Sequence, residues 1–551
     1  MHARNLLVLS ALLVGACASG GTRTPAPEPA RPPQAEVPPP ETPEKPSEAV
    51  GERPPANWQL LDASTDRYRG ISLERTYREL LAGKQPKREV VVAVIDGGVD
   101  TAHADLRPNL WHNPKETPGN GRDDDGNGLI DDVYGWNYIG GADGRNVHHD
   151  TFEVTRLFAQ CQKGGQAAAA LPCDSIQAEY QQRKSQAEAT LGQIRMIEPA
   201  LNRAVTVLRT ALNGDSVTPE RVRALRPANA DVQQAKSIYE QLAENGITPD
   251  VLKEAKEAYE NQIEYNFDPE YDPRGIVGDN YRDTSERHYG NRDVTGPDAS
   301  HGTHVAGIIG AVRGNNSGVE GIASSVKLMA LRAVPDGDER DKDIANAIRY
   351  AADNGANIIN MSFGKSWSPQ KPAVDEAVKY AASRGVLMIH AAGNDAEDLD
   401  TSNNYPTPVL MDRSRVEPWI QVGASSWKGG DTIAASFSNY GKEEVDVFAP
   451  GEDILSTWPG GGVRRSSGTS MAAPVVSGLA ALIMSYYPDL SAVEVKRIIL
   501  ETATKLGDQT TLLPGGERSD KVEFGDLSAT GGIVNAYEAM KRAEQVAASK
   551  R

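Results

Sequence analysis

The feature that most constrains this chain is a run of β-branched residues at 88–95, Arg-Glu-Val-Val-Val-Ala-Val-Ile, which ends on Asp96-Gly97-Gly98. An apolar run without alternation suits a strand covered on both faces. Segments 326–334, 356–363 and 386–392 repeat the pattern, and helical stretches at 341–354 and 373–384 lie between them. Strands alternating with helices of that length predict an α/β fold, a parallel sheet with helices on both faces. In such sheets functional residues gather at the carboxyl ends of the strands. Asp96 stands at one such end, and Asn360 and Asn394 at or near two others.

Three glycine-rich motifs carry the chemistry. They are Val94-Ile95-Asp96-Gly97-Gly98-Val99-Asp100, His301-Gly302-Thr303-His304-Val305-Ala306-Gly307, and Ser467-Gly468-Thr469-Ser470-Met471-Ala472-Ala473-Pro474. A serine hydroxyl is a poor nucleophile at neutral pH and needs a base within hydrogen-bond reach. An imidazole supplies that base, and a carboxylate on its other nitrogen fixes the tautomer.

In order and in content the motifs resemble the signature segments of subtilisin-like serine proteases. The resemblance covers residues 58–115 and 270–540. It implies a three-layer, mostly parallel seven-stranded sheet flanked by helices. It also implies a triad of Asp96, His301 and Ser470, with Asn394 as side-chain oxyanion donor and polypeptides as substrates. His304, three residues past His301, is expected to be a packed helix residue, and Asp100 a turn carboxylate. The family usually has Ser or Thr after its catalytic Asp; here Gly97 follows.

The same resemblance points to the substrate groove. Segments Asn360-Met361-Ser362-Phe363-Gly364 and Ala391-Ala392-Gly393-Asn394 match the strands that line the family's specificity pocket. Ser362, Phe363, Gly364, Ala391 and Gly393 are therefore expected to bind substrate, which pairs as an added strand. Tyr405-Pro406 matches a position where the family's peptide bond is cis. Asp395 and Asn404 would lie near the pocket floor.

Residues 120–132 read Asn-Gly-Arg-Asp-Asp-Asp-Gly-Asn-Gly-Leu-Ile-Asp-Asp. Asp123, Asp125 and Asn127 fall at positions 1, 3 and 5 of a calcium-type loop, Gly128 at position 6 and Asp131 at position 9. Position 12 is Tyr134, so the loop is not a complete EF-hand. Oxygen ligands around a tight glycine turn still suit a hard cation, and structural calcium is expected at Asp123, Asp125, Asn127 and Asp131. His148-His149-Asp150 reads as a polar loop instead of a metal cluster.

The amino-terminal part reads as a targeting segment. Residues 1–16 carry Arg4, an apolar run at 6–14 and Gly15-Ala16 before Cys17. That pattern predicts a secretory signal peptide, and its end resembles a bacterial lipobox. The resemblance implies lipidation of Cys17 and an exported, lipid-anchored protein, at the outer membrane or cell surface because Ala18 follows. Residues 17–56 are too rich in Pro and Glu to fold and are expected to form an extended tether. No later segment reads as a membrane span.

Asp96 and His301 lie 205 positions apart, several times the family's usual gap. The protease domain is thus expected at 57–144 and 271–545, interrupted by an α-helical insertion at 145–270. Thr218-Pro219 and Thr248-Pro249 read as helix starts, with a capping Thr and Pro in the first turn. Leu201, Val205, Leu208 and Leu212 repeat as a helix-packing seam, continued by Leu252, Ala255 and Tyr259. The insertion could be a structural cap, gate the site or bind a protein partner. Cys161 and Cys173 either pair or stay as thiols. The net charge of −18 argues against a nucleic-acid binder.

The competing reading is a catalytically silent envelope lipoprotein that binds a partner through the insertion. Such a scaffold has no physical reason to keep Asp96, His301, Asn394 and Ser470 together. A serine-carboxyl peptidase would replace the histidine by a carboxylate, which His301 excludes.

Overall fold

The computed structural model describes residues 53–316 and 318–550. Cys17 and nearly all of the 17–56 tether lie outside them.

Seven parallel strands form the centre. They are β1 (Val90–Asp96), β2 (Gly135–Asn137), β3 (Val326–Arg332), β4 (Ile358–Met361), β5 (Leu387–Ala391), β6 (Trp419–Ser425) and β7 (Val447–Pro450), in the order β7-β6-β5-β4-β1-β3-β2. Two-residue strands extend the β7 edge, Gly532–Ile533 in parallel and Thr504–Lys505 antiparallel. The seven-strand α/β expectation holds, with this short extension added.

β1 is central because its side chains are apolar in both directions. Val90, Val92 and Val94 join one core cluster with helices Ser300–Gly310 and Thr469–Tyr486. Ala93 and Ile95 join the other, with helices Asp341–Asp353 and Lys371–Ser383. Each fully buried valine removes apolar surface worth about 1.5–3 kcal/mol. The register sets Asp96 beside Arg332 and Val94 beside Asn360, so the polar strand ends fall together.

Helix Thr469–Tyr486 is long and apolar enough to span a membrane by composition, contrary to the sequence expectation, but every residue of it is buried in the core. The hairpin β8 (Ile454–Trp458) and β9 (Gly462–Ser466) leads into it.

In the inserted region, Cys161 and Cys173 form a disulfide. It joins helix Glu153–Lys163 to the first residue of the 39-residue helix Cys173–Ala211. Residues 181–264 form a compact unit of their own. Thr218 and Thr248 cap their helices, each accepting a backbone N–H, with Pro in the first turn. Leu201, Leu208, Leu252, Ala255 and Tyr259 are buried as the seam requires. Ala204 takes the place expected of Val205, which is half-buried like Leu212.

Candidate active site

Asp96 ends β1 and is buried. Its Oδ1 accepts the Gly97 N–H at 2.8 Å. No hydroxyl follows Asp96, and the backbone supplies this bond instead. The Gly97 carbonyl accepts from Nε of the buried Arg332 at 2.8 Å.

His301 lies in the first turn of helix Ser300–Gly310. Its Nδ1 is 2.8 Å from Oδ1 and 3.0 Å from Oδ2 of Asp96. Gly302 permits this approach, since a Cβ there would lie 2.1 Å from the Gly98 carbonyl. Burial disfavours the protonated imidazole, but the charge and hydrogen bond of Asp96 outweigh it, and the pKa lies above its ordinary value. The other nitrogen, Nε2, is buried without a hydrogen-bond partner. A basic nitrogen held in one tautomer is what a general base requires.

His304 behaves as a core residue. Its Nε2 lies 3.1 Å from the Ile454 carbonyl and 3.0 Å from that of Arg464, and burial pushes its pKa down to about 4.

Ser470 sits in the first turn of helix Thr469–Tyr486, so its hydroxyl lies where backbone N–H groups lack intrahelical partners. Its Oγ donates to the Ser362 carbonyl at 3.1 Å, and Ser362 Oγ donates to the Ser470 carbonyl at 3.0 Å. Ser362 Oγ accepts from Asn360 Nδ2 at 2.9 Å, and Asn360 Oδ1 accepts from Ser477 Oγ at 2.8 Å. The Ser470 turn is thereby tied to the end of β4. Asn394 follows β5, and its Oδ1 accepts from Thr469 N at 2.8 Å and Thr469 Oγ1 at 3.1 Å. The oxygen end of the Asn394 amide is thereby fixed against the start of the Ser470 helix.

The model of the subtilase family matches residues 87–516. The chain belongs to the subtilase family. As a subtilase it is a serine endopeptidase, a peptide-bond hydrolase. It is similar to the thermophilic serine proteinase of Bacillus sp. (strain AK1), with 37% identity over 45% of this chain and 56% of that protein. It matches subtilisin DY of Bacillus licheniformis at 39%, over 38% of this chain and 72% of that one. It matches the intracellular serine protease of Paenibacillus polymyxa at 33%, over 53% of this chain and 84% of that one. The match to the first thus spans little more than half of its length.

In this subtilase the residues expected to line a groove lie at adjoining strand ends: Ser362 bonds the Ser470 turn, Phe363 and Gly364 follow β4, Ala391 ends β5, and Gly393 N–H donates to Thr469 Oγ1 at 3.0 Å. The Tyr405–Pro406 peptide is cis.

The acidic loop is arranged differently from its sequence pattern. Carboxylate oxygens of Glu116, Asp123 and Asp125 lie within 4.8 Å of one another. Asp123 also ties the loop, accepting from Gly126 N at 2.7 Å and Gly128 N at 2.8 Å. Asn127 Oδ1 accepts from Leu129 N, and its Nδ2 donates to Asp132. Asp131 lies outside that cluster; it accepts from Asn120 N and Gly121 N at 3.1 Å each and from Arg292 at 2.5 Å. Glu116, which lies outside the loop motif, closes the cluster, and its buried Oε2 has no hydrogen-bond partner. A buried carboxylate oxygen without a donor is costly, and a hard cation would relieve it. The His148 and His149 rings lie 4.0 Å apart, tilted by 32°, His149 stacks on Tyr265, and its Nδ1 lies 2.8 Å from Asp336.

Proposed function

We propose that this chain is an exported, lipid-anchored serine endopeptidase that works through an acyl-enzyme, with Ser470 as nucleophile, His301 as base and Asp96 orienting it. The observation that carries this reading is the Asp96–His301 pair, which leaves a single-tautomer Nε2 open.

The steps follow from the contacts. The Ser470 hydroxyl turns from the Ser362 carbonyl to His301 Nε2 and gives up its proton as Oγ attacks the substrate carbonyl. The developing oxyanion is met by the Asn394 amide and by backbone N–H at the start of the Ser470 helix. The imidazolium, stabilised by Asp96, returns the proton to the leaving amine, and water then repeats the cycle on the acyl-enzyme.

Calcium supplies stability, not chemistry, in this reading. Glu116, Asp123 and Asp125 would hold it. The anchor is the lipid on Cys17, and the tether 17–56 gives the catalytic domain reach from the membrane.

The test is fluorophosphonate labelling of the full chain beside Ser470→Ala and His301→Ala. Labelling of the wild type alone supports the assignment; equal labelling of Ser470→Ala rejects it. Fatty-acid incorporation that survives Cys17→Ser would reject the anchor.

A further inference from the structure

Two loops leave the sheet on either side of Asp96. β1 lies between β4 and β3, so the chain after β4 and the chain after β3 flank its end. Past β4 the chain alternates: Gly364 and Ser366 are exposed, Lys365 is buried and Trp367 is half-buried. Gly364 belongs to the wall expected to bind substrate. Lys365 and Trp367, which face inward, are polar at their ends and need partners there.

Those partners lie at the base of the inserted region. One oxygen of Glu153, Oε2, accepts from Lys365 Nζ at 2.8 Å and from Arg156 at 2.7 Å. The same Arg156 nitrogen donates to the carbonyls of Asp338 and Glu339, on the loop after β3, at 3.2 and 3.3 Å. Lys365 also reaches the Glu339 carbonyl at 2.7 Å and Asp341 at 2.8 Å. Glu153 and Arg156 thus join the loop after β3 to the loop after β4, and both lie in the first turn of helix Glu153–Lys163. Bonds to charged groups are the strong ones, and burial here keeps water from competing for them.

A second arm grips the same wall two residues further on. Glu179 Oε2, in helix Cys173–Ala211, accepts from the Trp367 indole N–H at 2.8 Å. Tyr180, the next residue, fixes this arm: its ring stacks on Phe158 at 4.0 Å and its hydroxyl donates to the Phe267 carbonyl at 2.8 Å. The Cys161–Cys173 disulfide ties the end of the first arm to the start of the second.

We propose that the base of the insertion is a brace that sets the position of the substrate-binding wall after β4, with Glu153 and Glu179 as its positioning residues. This rests on the peptidase reading above. Neither carboxylate touches substrate; each acts through the residue it holds, Lys365 or Trp367. Buried ion pairs are a poor source of stability, but they fix one geometry. The substrates that feel the brace are extended polypeptides, which pair along the wall, whereas a small reagent that needs only Ser470 does not.

The experiment uses the full chain, one extended peptide and a fluorophosphonate probe. Glu153→Ala and Glu179→Leu should each raise KM for the peptide about tenfold, with kcat within about threefold of wild type and the rate of labelling unchanged. Glu179→Gln keeps an acceptor for the indole N–H and should bring KM back to within about twofold of wild type. A merely structural loss would lower the number of labelled sites and leave the KM of the folded remainder where it was. Glu179 is half-buried, so its variants keep the test alive should Glu153→Ala not fold. An unchanged KM in Glu179→Leu, or a labelling rate that falls as far as kcat/KM, overturns the inference. A wild type that labels and cuts, beside variants indistinguishable from it, refutes this proposal alone. A folded chain that neither labels nor cuts the peptide refutes the peptidase reading and this inference with it.

Discussion

Thr469 donates twice to the same oxygen of Asn394, through its backbone N–H at 2.8 Å and its hydroxyl at 3.1 Å. Thr469, the residue before Ser470, therefore fixes the oxygen end of the Asn394 amide. Asn394→Ala should lower kcat about 100- to 1,000-fold with little change in KM, because an oxyanion forms only on the way to the transition state. Thr469→Val removes one of the two anchors and should cost about tenfold, also in kcat. Steady-state kinetics on one peptide checks both, and a loss confined to KM would assign Asn394 to ground-state binding.

The Asp96–His301 pair sets the acid limb of activity. Burial opposes protonation of His301, yet Asp96 outweighs it and the pKa moves up from 6.5. The base works only when neutral, so activity falls as pH drops through that raised value. The limb should stand above that of an isolated imidazole. Asp96→Asn should move the limb down and lower kcat by about 10,000-fold. A kcat/KM profile against pH reads both effects; an unmoved limb would detach Asp96 from His301.

Glu339 predicts a pH dependence of stability that is independent of the triad. It is buried with Oε1 unpartnered. Its backbone carbonyl, not its carboxyl, accepts from Lys365 Nζ at 2.7 Å, and that ammonium also reaches Glu153 and Asp341 at 2.8 Å each. Burial raises the Glu339 pKa from 4.5 to about 8, against the pull of Lys365 and with the help of Asp338 and Asp341. The folded chain then holds a proton that the unfolded chain releases near 4.5. This contribution is complete below 4.5 and is lost as pH rises through about 8. Denaturant unfolding between about pH 6 and about pH 9 should show falling stability, with a shallower fall in Glu339→Gln. Equal slopes would mean that Glu339 is ionised in the fold.

The acidic cluster of Glu116, Asp123 and Asp125 separates two acidic residues that look alike in sequence. Chelation should lower the melting temperature of the wild type, and Glu116→Gln should abolish that response. Asp131→Asn should lower stability slightly, by weakening its contacts with the exposed Arg292 and with Asn120 N and Gly121 N, but keep the response. Thermal unfolding with calcium and with chelator distinguishes the two, and a calcium response retained in Glu116→Gln would rule out the cluster.

Pattern reading reaches the strands that are buried on both faces. Val90–Asp96, Val326–Arg332 and Leu387–Ala391 announce themselves as apolar runs. It does not reach β2, a three-residue Gly-Trp-Asn, or β6, where Gln421, Gly423 and Ser425 interrupt the run. The residues proposed as catalytic are legible because each sits in a local motif whose glycines answer to backbone approach, as at Gly302. Contacts that join distant positions are not. Glu116 lies outside the loop window that it completes, and Asn404 meets Gly364 only once two loops have folded.

The hydrogen-bonded chain from Ser477 through Asn360 and Ser362 to Ser470 is another such contact. Ser477 lies seven positions past Ser470 on the same helix, fully buried. Its hydroxyl donates to Asn360 Oδ1, which obliges the amide nitrogen to face Ser362 Oγ. That hydroxyl has one hydrogen, and it goes to the Ser470 carbonyl. Removing Ser477 Oγ frees the amide to flip and leaves a buried oxygen without a donor, costing about 1–3 kcal/mol of stability. Ser477→Ala should also lower kcat by about three- to tenfold with KM unchanged, because the turn that presents Ser470 loses one of its fixed contacts. If the chain acts as a unit, Ser362→Ala should cost less in the Ser477→Ala background than in the wild type, by more than about 0.5 kcal/mol. Additive effects, or a stability loss with kcat intact, would reduce Ser477 to a core residue.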